Sequence, residues 1–169
     1  MKLLATIRPS DVDPDAPDFD YENFRPRIAA RAVLLDGDKV ALIHVSGPDY
    51  YMLPGGGIDG DDIAAGLQRE LAEELGCQAE LTDEIGSITI YNDRWSSRQT
   101  DYCYTARKQG SSTAAQPTDF EQTEGHRIVW VATIAEAIRL VEGARPQARD
   151  GKLIQARDLL FLQTAEALV

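Results

Sequence analysis

The stretch PGGGIDGDDIAAGLQRELAEELGC, residues 54–77, says most about the fold and chemistry of this chain. Its three consecutive glycines cost backbone entropy, which a protein tolerates where a loop needs an unusual conformation. The spacing predicts a helix over residues 61–75. Asp61 or Asp62 can cap the start of that helix, and Gly76 is suited to its C-terminal end. A glycine loop leading into a helix is typical of segments that bring the backbone close to a phosphate or a metal ion.

The predicted helix carries three carboxylates on one side. At about 100° per residue, Glu70, Glu73 and Glu74 fall within one arc of roughly 100°. They flank an apolar stripe that marks the buried face, formed by Ala64, Leu67, Leu71 and Leu75. Like charges at this spacing repel, and either water or a cation must relieve the repulsion. Because Mg²⁺ and Mn²⁺ prefer hard oxygen ligands, a metal site and an ordinary solvated acidic face are both open at this point.

The rest of the chain reads as alternating strands and helices. Apolar runs on either side of Asp36-Gly37-Asp38 predict a β-hairpin, because this turn sequence favours one. Further strands are predicted at 80–93, 99–109 and 126–132, a short helix from Thr133 to Leu140, and an amphipathic helix at 148–168. The pattern predicts a mixed α/β fold in which helices pack on a curved sheet.

The N-terminal region differs in composition from the rest. Residues 9–26 hold four prolines, and five aspartates lie between positions 11 and 20. Prolines and like charges disfavour a helix or a central strand, so residues 1–26 are predicted to form an acidic arm and residues 27–169 one folded domain. Packing of the arm on a second copy of the chain would give a homodimer, which is a further prediction.

The overall composition excludes several classes of protein. The 169 residues are 43% hydrophobic and 27% charged, with a net charge of −11, which suits one domain with a substantial core. No apolar run approaches the roughly 18 residues of a membrane span. The negative charge argues against binding to a nucleic-acid polymer, but a divalent metal can still bring a small phosphate compound to an acidic protein. Two cysteines cannot form a disulfide framework or a four-cysteine zinc site, so a cytoplasmic location is expected.

Residues 55–77 resemble the Nudix box, G-x5-E-x7-R-E-U-x-E-E-x-G-U, in which U is a bulky apolar residue. Gly55 matches the first glycine, and the run from Arg69 to Gly76 matches the central part of the box. Two positions depart from it, since Asp61 replaces a glutamate and Cys77 fills the last apolar position. The hairpin before the box and the strand and helix after it are also similar to the family. The resemblance implies a Nudix-type α/β/α sandwich with a curved mixed sheet.

The resemblance also implies an activity, the Mg²⁺-dependent hydrolysis of a pyrophosphate bond, with Mn²⁺ as a second candidate metal. Glu70, Glu73 and Glu74 match the metal ligands of the family. A backbone carbonyl of Gly55 or Gly56 commonly completes such a site.

The resemblance leaves the general base open. Arg69 matches the arginine that orients a box glutamate through a salt bridge, and Glu70 matches either a metal ligand or the base. Some members of the family take the base from a later loop, where Glu121 and Glu124 are the candidates. Glu70, Arg69 and Glu124 are therefore the predicted catalytic residues.

The box identifies the bond that is cleaved but not the group attached to it. Residues 59–74 sum to a charge of −5, whereas residues 92–108 sum to +2. An acidic metal platform near a locally basic segment suits a polyphosphate. Arg94 and Arg98 are predicted to contact phosphate, and Tyr51 is predicted to stack on a base, with Tyr50 and Trp95 as alternatives. The expected substrates are nucleoside di- and triphosphates, dinucleoside polyphosphates and sugar nucleotides, small molecules that all contain a nucleoside diphosphate linked to another moiety.

Two other functions stay open. A non-catalytic Nudix-fold module would sense a nucleotide without hydrolysing it, and this would follow if Asp61 and the short glycine loop misplaced Glu70. An isomerase or glycosylase on the same fold is the third reading, although the iron–sulfur cysteines of that glycosylase branch are absent. The complete set of acids in the central part of the box favours hydrolysis.

Overall fold

The fold is described from a computed structural model, which covers residues 1–60, 62–112, 122 and 125–168. In these ranges the strands are Leu3–Ile7 (β1), Arg25–Asp36 (β2), Lys39–Val45 (β3), Tyr50–Met52 (β4), Gln78–Asn92 (β5), Ser97–Gln109 (β6) and His126–Val131 (β7). The helices are Pro9–Val12 (α1), Ile63–Leu75 (α2), Ile134–Gly143 (α3) and Arg149–Glu166 (α4), with a 3-10 turn at Tyr21–Asn23.

The strands form one mixed sheet. Its order is β1-β5-β6-β2-β3-β4, and β7 pairs with β3. The pairs β1–β5 and β2–β6 are parallel, and the other pairs are antiparallel. The long β2–β6 pair runs in register from Arg25 opposite Ser97 to Leu35 opposite Arg107, so it forms the centre of the sheet.

Alternation along β2 builds a core on each side of the sheet. Ala30, Ala32 and Leu34 pack in one cluster with the leucines of α2. Val33 and Leu35 pack in a second cluster with residues of α3 and α4. The predicted α/β/α sandwich is thus confirmed, with helices on both faces of a mixed sheet.

The predicted helix boundaries are close to those observed. The Asp62 side chain accepts a hydrogen bond from Ala65 N at 2.9 Å and caps α2, whose end is Gly76 in the left-handed region at φ 60°. Thr133 caps α3 in the same manner, accepting from Glu136 N at 3.1 Å. The hairpin at Asp36-Gly37-Asp38 is also present, because it joins the antiparallel strands β2 and β3.

The N-terminal segment differs from the expectation of an arm without strands or helices. Residues Leu3–Ile7 form β1 at the edge of the sheet, parallel to β5, and Ile7 is buried in the core. Pro9 begins the single turn α1, a position that suits proline because its missing N–H needs no partner there. Arg149 Nε lies 3.0 Å from Asp13 Oδ2 and neutralises part of the acidic segment. The segment therefore docks on α4, a long-range contact that local composition does not indicate.

Candidate active site

The glycine loop before α2 runs alongside β2. Ala32 N donates to Pro54 O and Ala30 N donates to Gly56 O, both at 3.0 Å, and Ile58 N donates to Ile28 O at 2.9 Å. Gly55 has φ 126°, and a Cβ atom there would lie 2.2 Å from Ala30 O. Only glycine fits at this position, because a side chain would collide with the β2 backbone.

Two of the three box glutamates contact this loop. Glu74 Oε2 accepts a hydrogen bond from Gly55 N at 2.7 Å. The Glu70 carboxylate fills the space beside Gly56, where a Cβ atom would lie 2.0 Å from Glu70 Oε2. The loop and α2 therefore bring a backbone turn and two carboxylates together, as the spacing of the sequence motif requires.

Arg69 contacts the carboxylates of Glu70 and Glu73. Its Nη2 donates to Glu70 Oε1 at 3.1 Å, and its Nε lies 3.8 Å from Glu73 Oε1. The Arg69 side chain is 49% exposed, so water screens these contacts and each contributes little to stability. Both glutamates thus lie within reach of the same guanidinium group.

The donor set fits a divalent cation by its chemistry. Glu70, Glu73 and Glu74 provide hard oxygen donors on one helix face beside a single arginine. Within the described ranges, no three side chains of the kinds that bind metals already converge on one point. These three carboxylates would hold such an ion, and Glu70 and Glu73 also contact Arg69.

The Gly55 carbonyl, predicted to complete the metal site, has a different partner. Its oxygen accepts a hydrogen bond from Arg31 Nη1. The Gly55 N–H group donates to Glu74 Oε2. A carbonyl oxygen has two lone pairs, so coordination of a metal by Gly55 stays a prediction.

A buried network of four charges lies behind the loop. Asp101 Oδ1 accepts from Arg31 Nε at 3.1 Å and from Arg157 Nη1 at 3.0 Å. Arg157 also forms a two-pronged pair with Asp158, at 2.6 and 3.0 Å, and Asp158 accepts from Leu53 N at 2.9 Å. Through Arg31 and Asp158 the network contacts the chain at residues 55 and 53, on both sides of Pro54.

The network is electrostatically balanced. Burial alone would raise the pKa of Asp101, but Arg157, Arg31 and the hydrogen bond from Gln99 together lower it by more. Burial would likewise lower the pKa of Arg157, and the two aspartates raise it above its ordinary value. The network thus sets two arginines against two aspartates in the core.

A cavity of about 270 Å³ opens beside this network. Arg31 and Arg157 form part of its wall, together with Tyr50, Arg94 and Trp95. Arg94 stacks over the Trp95 ring at 4.7 Å and pairs with Asp150 at 2.7 Å. The cavity thus combines aromatic surface with guanidinium groups close to the glycine loop.

The structure places Arg94 at this cavity but not the other two residues predicted to bind substrate. Successive residues of a strand point to opposite faces, so Tyr50 lines the cavity while Tyr51 stacks on the His44 ring at 4.6 Å. For the same reason Ser97 and Gln99 line the cavity, and Arg98 between them points away. The candidate bases Glu121 and Glu124 lie outside the described residues.

Two arginines of β2 were missed as site residues. Arg27 and Arg31 both line the cavity, and a Cβ atom on Gly57 would lie 2.8 Å from Arg27 Nη2. The available signal was the alternation of arginines at positions 25, 27 and 31, which puts them on one face of a strand. Because residues 1–26 were interpreted as an arm, the predicted strand began at Arg27 and left out Arg25, the first arginine of the pattern.

Comparison with known proteins identifies the class. The NUDIX domain model matches residues 25–150, more than half of the chain. The chain belongs to the NUDIX family, whose members hydrolyse pyrophosphate bonds and generally use divalent metal ions. This makes the protein a hydrolase.

Solved structures share the fold at low sequence identity. A NUDIX hydrolase from Nitrosomonas europaea has a TM-score of 0.64 and 16% identity, covering 85% of this chain and 90% of that one. An ADP-ribose pyrophosphatase from Streptococcus suis has a TM-score of 0.53 and 18% identity, covering 83% and 92%. A MutT NUDIX hydrolase from Burkholderia pseudomallei has a TM-score of 0.58 and 19% identity, covering 83% and 98%. The search of curated proteins found no match. Among the described residues, no helix is both long enough and apolar enough to cross a membrane.

Proposed function

We propose that this protein hydrolyses a pyrophosphate bond in a nucleoside diphosphate linked to another moiety, with Mg²⁺ or Mn²⁺ as its metal. The observation that carries the proposal is the contact of Glu70 and Glu74 with the glycine loop. The likeness to an ADP-ribose pyrophosphatase supports a substrate of this class, although its 18% identity establishes the fold alone.

The carboxylates of Glu70, Glu73 and Glu74 would hold the metal. When bound, such an ion neutralises diphosphate charge and lowers the pKa of a water molecule. Gly55 N–H fixes Glu74, and Arg69 orients Glu70 and Glu73 by the contacts described above. Glu70 or Glu124 would accept the proton of the attacking water. In-line attack then forms one P–O bond, breaks the bridging P–O bond and releases two phosphate products.

The cavity beside Arg31 would hold the group attached to the scissile pyrophosphate. Tyr50 and Trp95 offer ring surface for a base, and Arg94 offers charge. In this proposal Tyr50 contacts the base in place of the predicted Tyr51. Arg98 is not part of the proposed site, because Tyr51 and Arg98 both lie on strand faces that point away from the cavity. The proposed ligand is a small molecule and not a nucleic-acid polymer.

Hydrolysis with a panel of substrates tests the proposal. The purified protein is incubated with Mg²⁺ or Mn²⁺ and nucleoside triphosphates, ADP-ribose, sugar nucleotides and dinucleoside polyphosphates, and the products are quantified by chromatography. We expect hydrolysis of at least one compound, its loss in EDTA, and its return with excess metal. A rate that resists the chelator would refute the metal assignment, and binding without turnover of any compound would favour the sensor.

The base is tested separately. Glu70→Gln and Glu124→Gln are compared over a pH series of kcat/KM with the best substrate. The variant that loses the acidic limb of the profile identifies the base, and a profile unchanged in both variants would exclude both residues.

A cytoplasmic location and a homodimer are retained as parts of the proposal. Both cysteines are buried free thiols, and burial raises the pKa of Cys77 and of Cys103. Such thiols behave as core residues and are compatible with a reducing compartment. Light scattering of the purified protein measures its oligomeric state.

A further inference from the structure

A cleft of basic character adjoins the cavity. Its lining consists of Arg25, Pro26, Arg27, Trp95 and Ser97, and its volume is about 290 Å³. It shares Arg27, Trp95 and Ser97 with the cavity beside the charge network, so the two adjoin each other. The lining contains two arginines and no carboxylate in a chain whose net charge is −11.

The two arginines have no counter-charge within the described residues. Arg94 and Arg149 at the same end of the sheet pair with aspartates, but no ion pair is formed by Arg25 or Arg27. Asp59 shares a neighbouring groove with Arg27 and does not come within ion-pair distance of it. Unpaired guanidinium groups of this kind are suited to bind phosphate through charge-assisted hydrogen bonds.

The backbone holds the cleft in a fixed position relative to the glycine loop. Arg25 N donates to Ser96 O at 2.8 Å and anchors the turn that presents Trp95. Arg27 lies against Gly57, next to Gly56 and its neighbour Glu70. Arg25, Arg27 and Arg31 share one face of β2, so the row of arginines leads from the cleft to the glycine loop.

We propose that Arg25 and Arg27 form a second anion subsite, which binds a further phosphate group of the substrate, separate from the pyrophosphate that is cleaved. The substrate would then be a nucleoside diphosphate compound with an additional phosphate on its ribose, at the 2′ or the 3′ position. This inference rests on the proposed function, because it extends the same binding site.

Binding without turnover tests the subsite. In EDTA, calorimetry measures the affinities of 5′-AMP, adenosine 2′,5′-bisphosphate and adenosine 3′,5′-bisphosphate. We expect one bisphosphate to bind at least about tenfold more tightly than 5′-AMP, and Arg25→Gln and Arg27→Gln each to remove most of that preference. Arg107→Gln is the matched control, since Arg107 is an exposed arginine at the opposite end of the β2–β6 pair and should keep the preference.

Hydrolysis separates the failure of the subsite from that of the proposed function. With ADP-ribose and its derivative phosphorylated at the ribose position that the binding assay selects, Arg25→Gln should raise KM about tenfold for the phosphorylated compound alone and leave kcat unchanged. Arg25 is used here because it lines the cleft but not the cavity that would hold the rest of the substrate. Equal affinities of the wild type for the three adenosine phosphates would overturn the subsite. A loss of affinity in Arg107→Gln as large as in the Arg25 and Arg27 variants would overturn it as well, because the effect would then come from net charge alone. If one bisphosphate binds selectively but no compound is hydrolysed, the subsite stands and the proposed function fails.

Discussion

Asp101→Asn tests the balance of the buried charge network. Asp101 is fully buried and accepts hydrogen bonds from Arg31, Arg157 and Gln99 at 3.1, 3.0 and 2.8 Å. Asparagine keeps the shape of the side chain but removes its charge, so two buried guanidinium groups are left with one carboxylate. Removing one partner of a buried ion pair costs about 3–5 kcal/mol, and we expect a loss of that size in the free energy of unfolding. For a chain of this length the melting temperature should fall by roughly 6–20 °C.

The measurement is urea denaturation followed by tryptophan fluorescence at pH 7.5. Asp36→Asn is the matched control, because the Asp36 side chain is 50% exposed in its pair with Lys108. An exposed pair contributes at most about 1 kcal/mol. If Asp101→Asn destabilises the protein no more than Asp36→Asn does, the network contributes nothing specific and the reasoning is refuted.

The pH dependence of the same measurement has a defined sign. The folded protein holds the pKa of Asp101 below its ordinary value of 3.8. A carboxyl with a depressed pKa stabilises the fold fully above its unfolded pKa and loses this contribution as pH falls through the folded pKa. The difference in unfolding free energy between wild type and Asp101→Asn should therefore be constant from pH 8 to pH 5 and shrink in stronger acid. A difference that grows on acidification would contradict the assignment of the shift.

Three further predictions concern the candidate active site. Gly56→Ala should lower kcat/KM at least tenfold and change the free energy of unfolding by less than about 1 kcal/mol, because the new Cβ displaces the flexible end of the Glu70 side chain. The control Gly143→Ala adds its methyl group in open space and should leave kcat/KM unchanged. Glu74→Gln should abolish turnover and keep the urea midpoint of unfolding, because the amide oxygen still accepts the hydrogen bond from Gly55 N–H but carries no negative charge to bind a cation. Unchanged turnover would exclude Glu74 as a metal ligand. Tyr50→Leu should raise KM for the best substrate several-fold, because Tyr50 lines the cavity. Tyr51→Leu should leave KM unchanged and lower the free energy of unfolding by about 0.5–1.5 kcal/mol, because it removes the stacking on His44. The reverse pattern would identify Tyr51 as the substrate contact.

The parts of the fold and site that follow from local spacing were predictable from the sequence. The helical period places Glu70, Glu73 and Glu74 on one face, and Asp62 and Gly76 mark the ends of that helix. The hairpin turn and the final strand and helices have equally local signals. These features depend on contacts between residues only a few positions apart.

The features that were missed depend on contacts between distant positions. Arg31 and Asp101 are 70 residues apart, and Asp101 and Arg157 are 56 apart, so no sequence window contains the network. Strand β1 pairs with residues 87–90, and only that pairing shows that the N-terminal segment completes the sheet. The charges in these segments were visible, but their partners were not.

Tyr50 and Tyr51 show that the tertiary structure is needed to decide which face of a strand lines a cavity. Alternation requires neighbouring residues in a strand to face opposite sides, so the sequence alone predicts that only one of the two can line a given cavity. Which one does so depends on where α4 packs, because Gly151 lies against the Tyr50 ring and brings the helix to that side. The same alternation applies to β2, where Arg25, Arg27 and Arg31 share a face. The structure shows that this face adjoins the glycine loop. A pattern of charges in a strand thus becomes a candidate binding surface only when a helix or loop on one side defines which face is open.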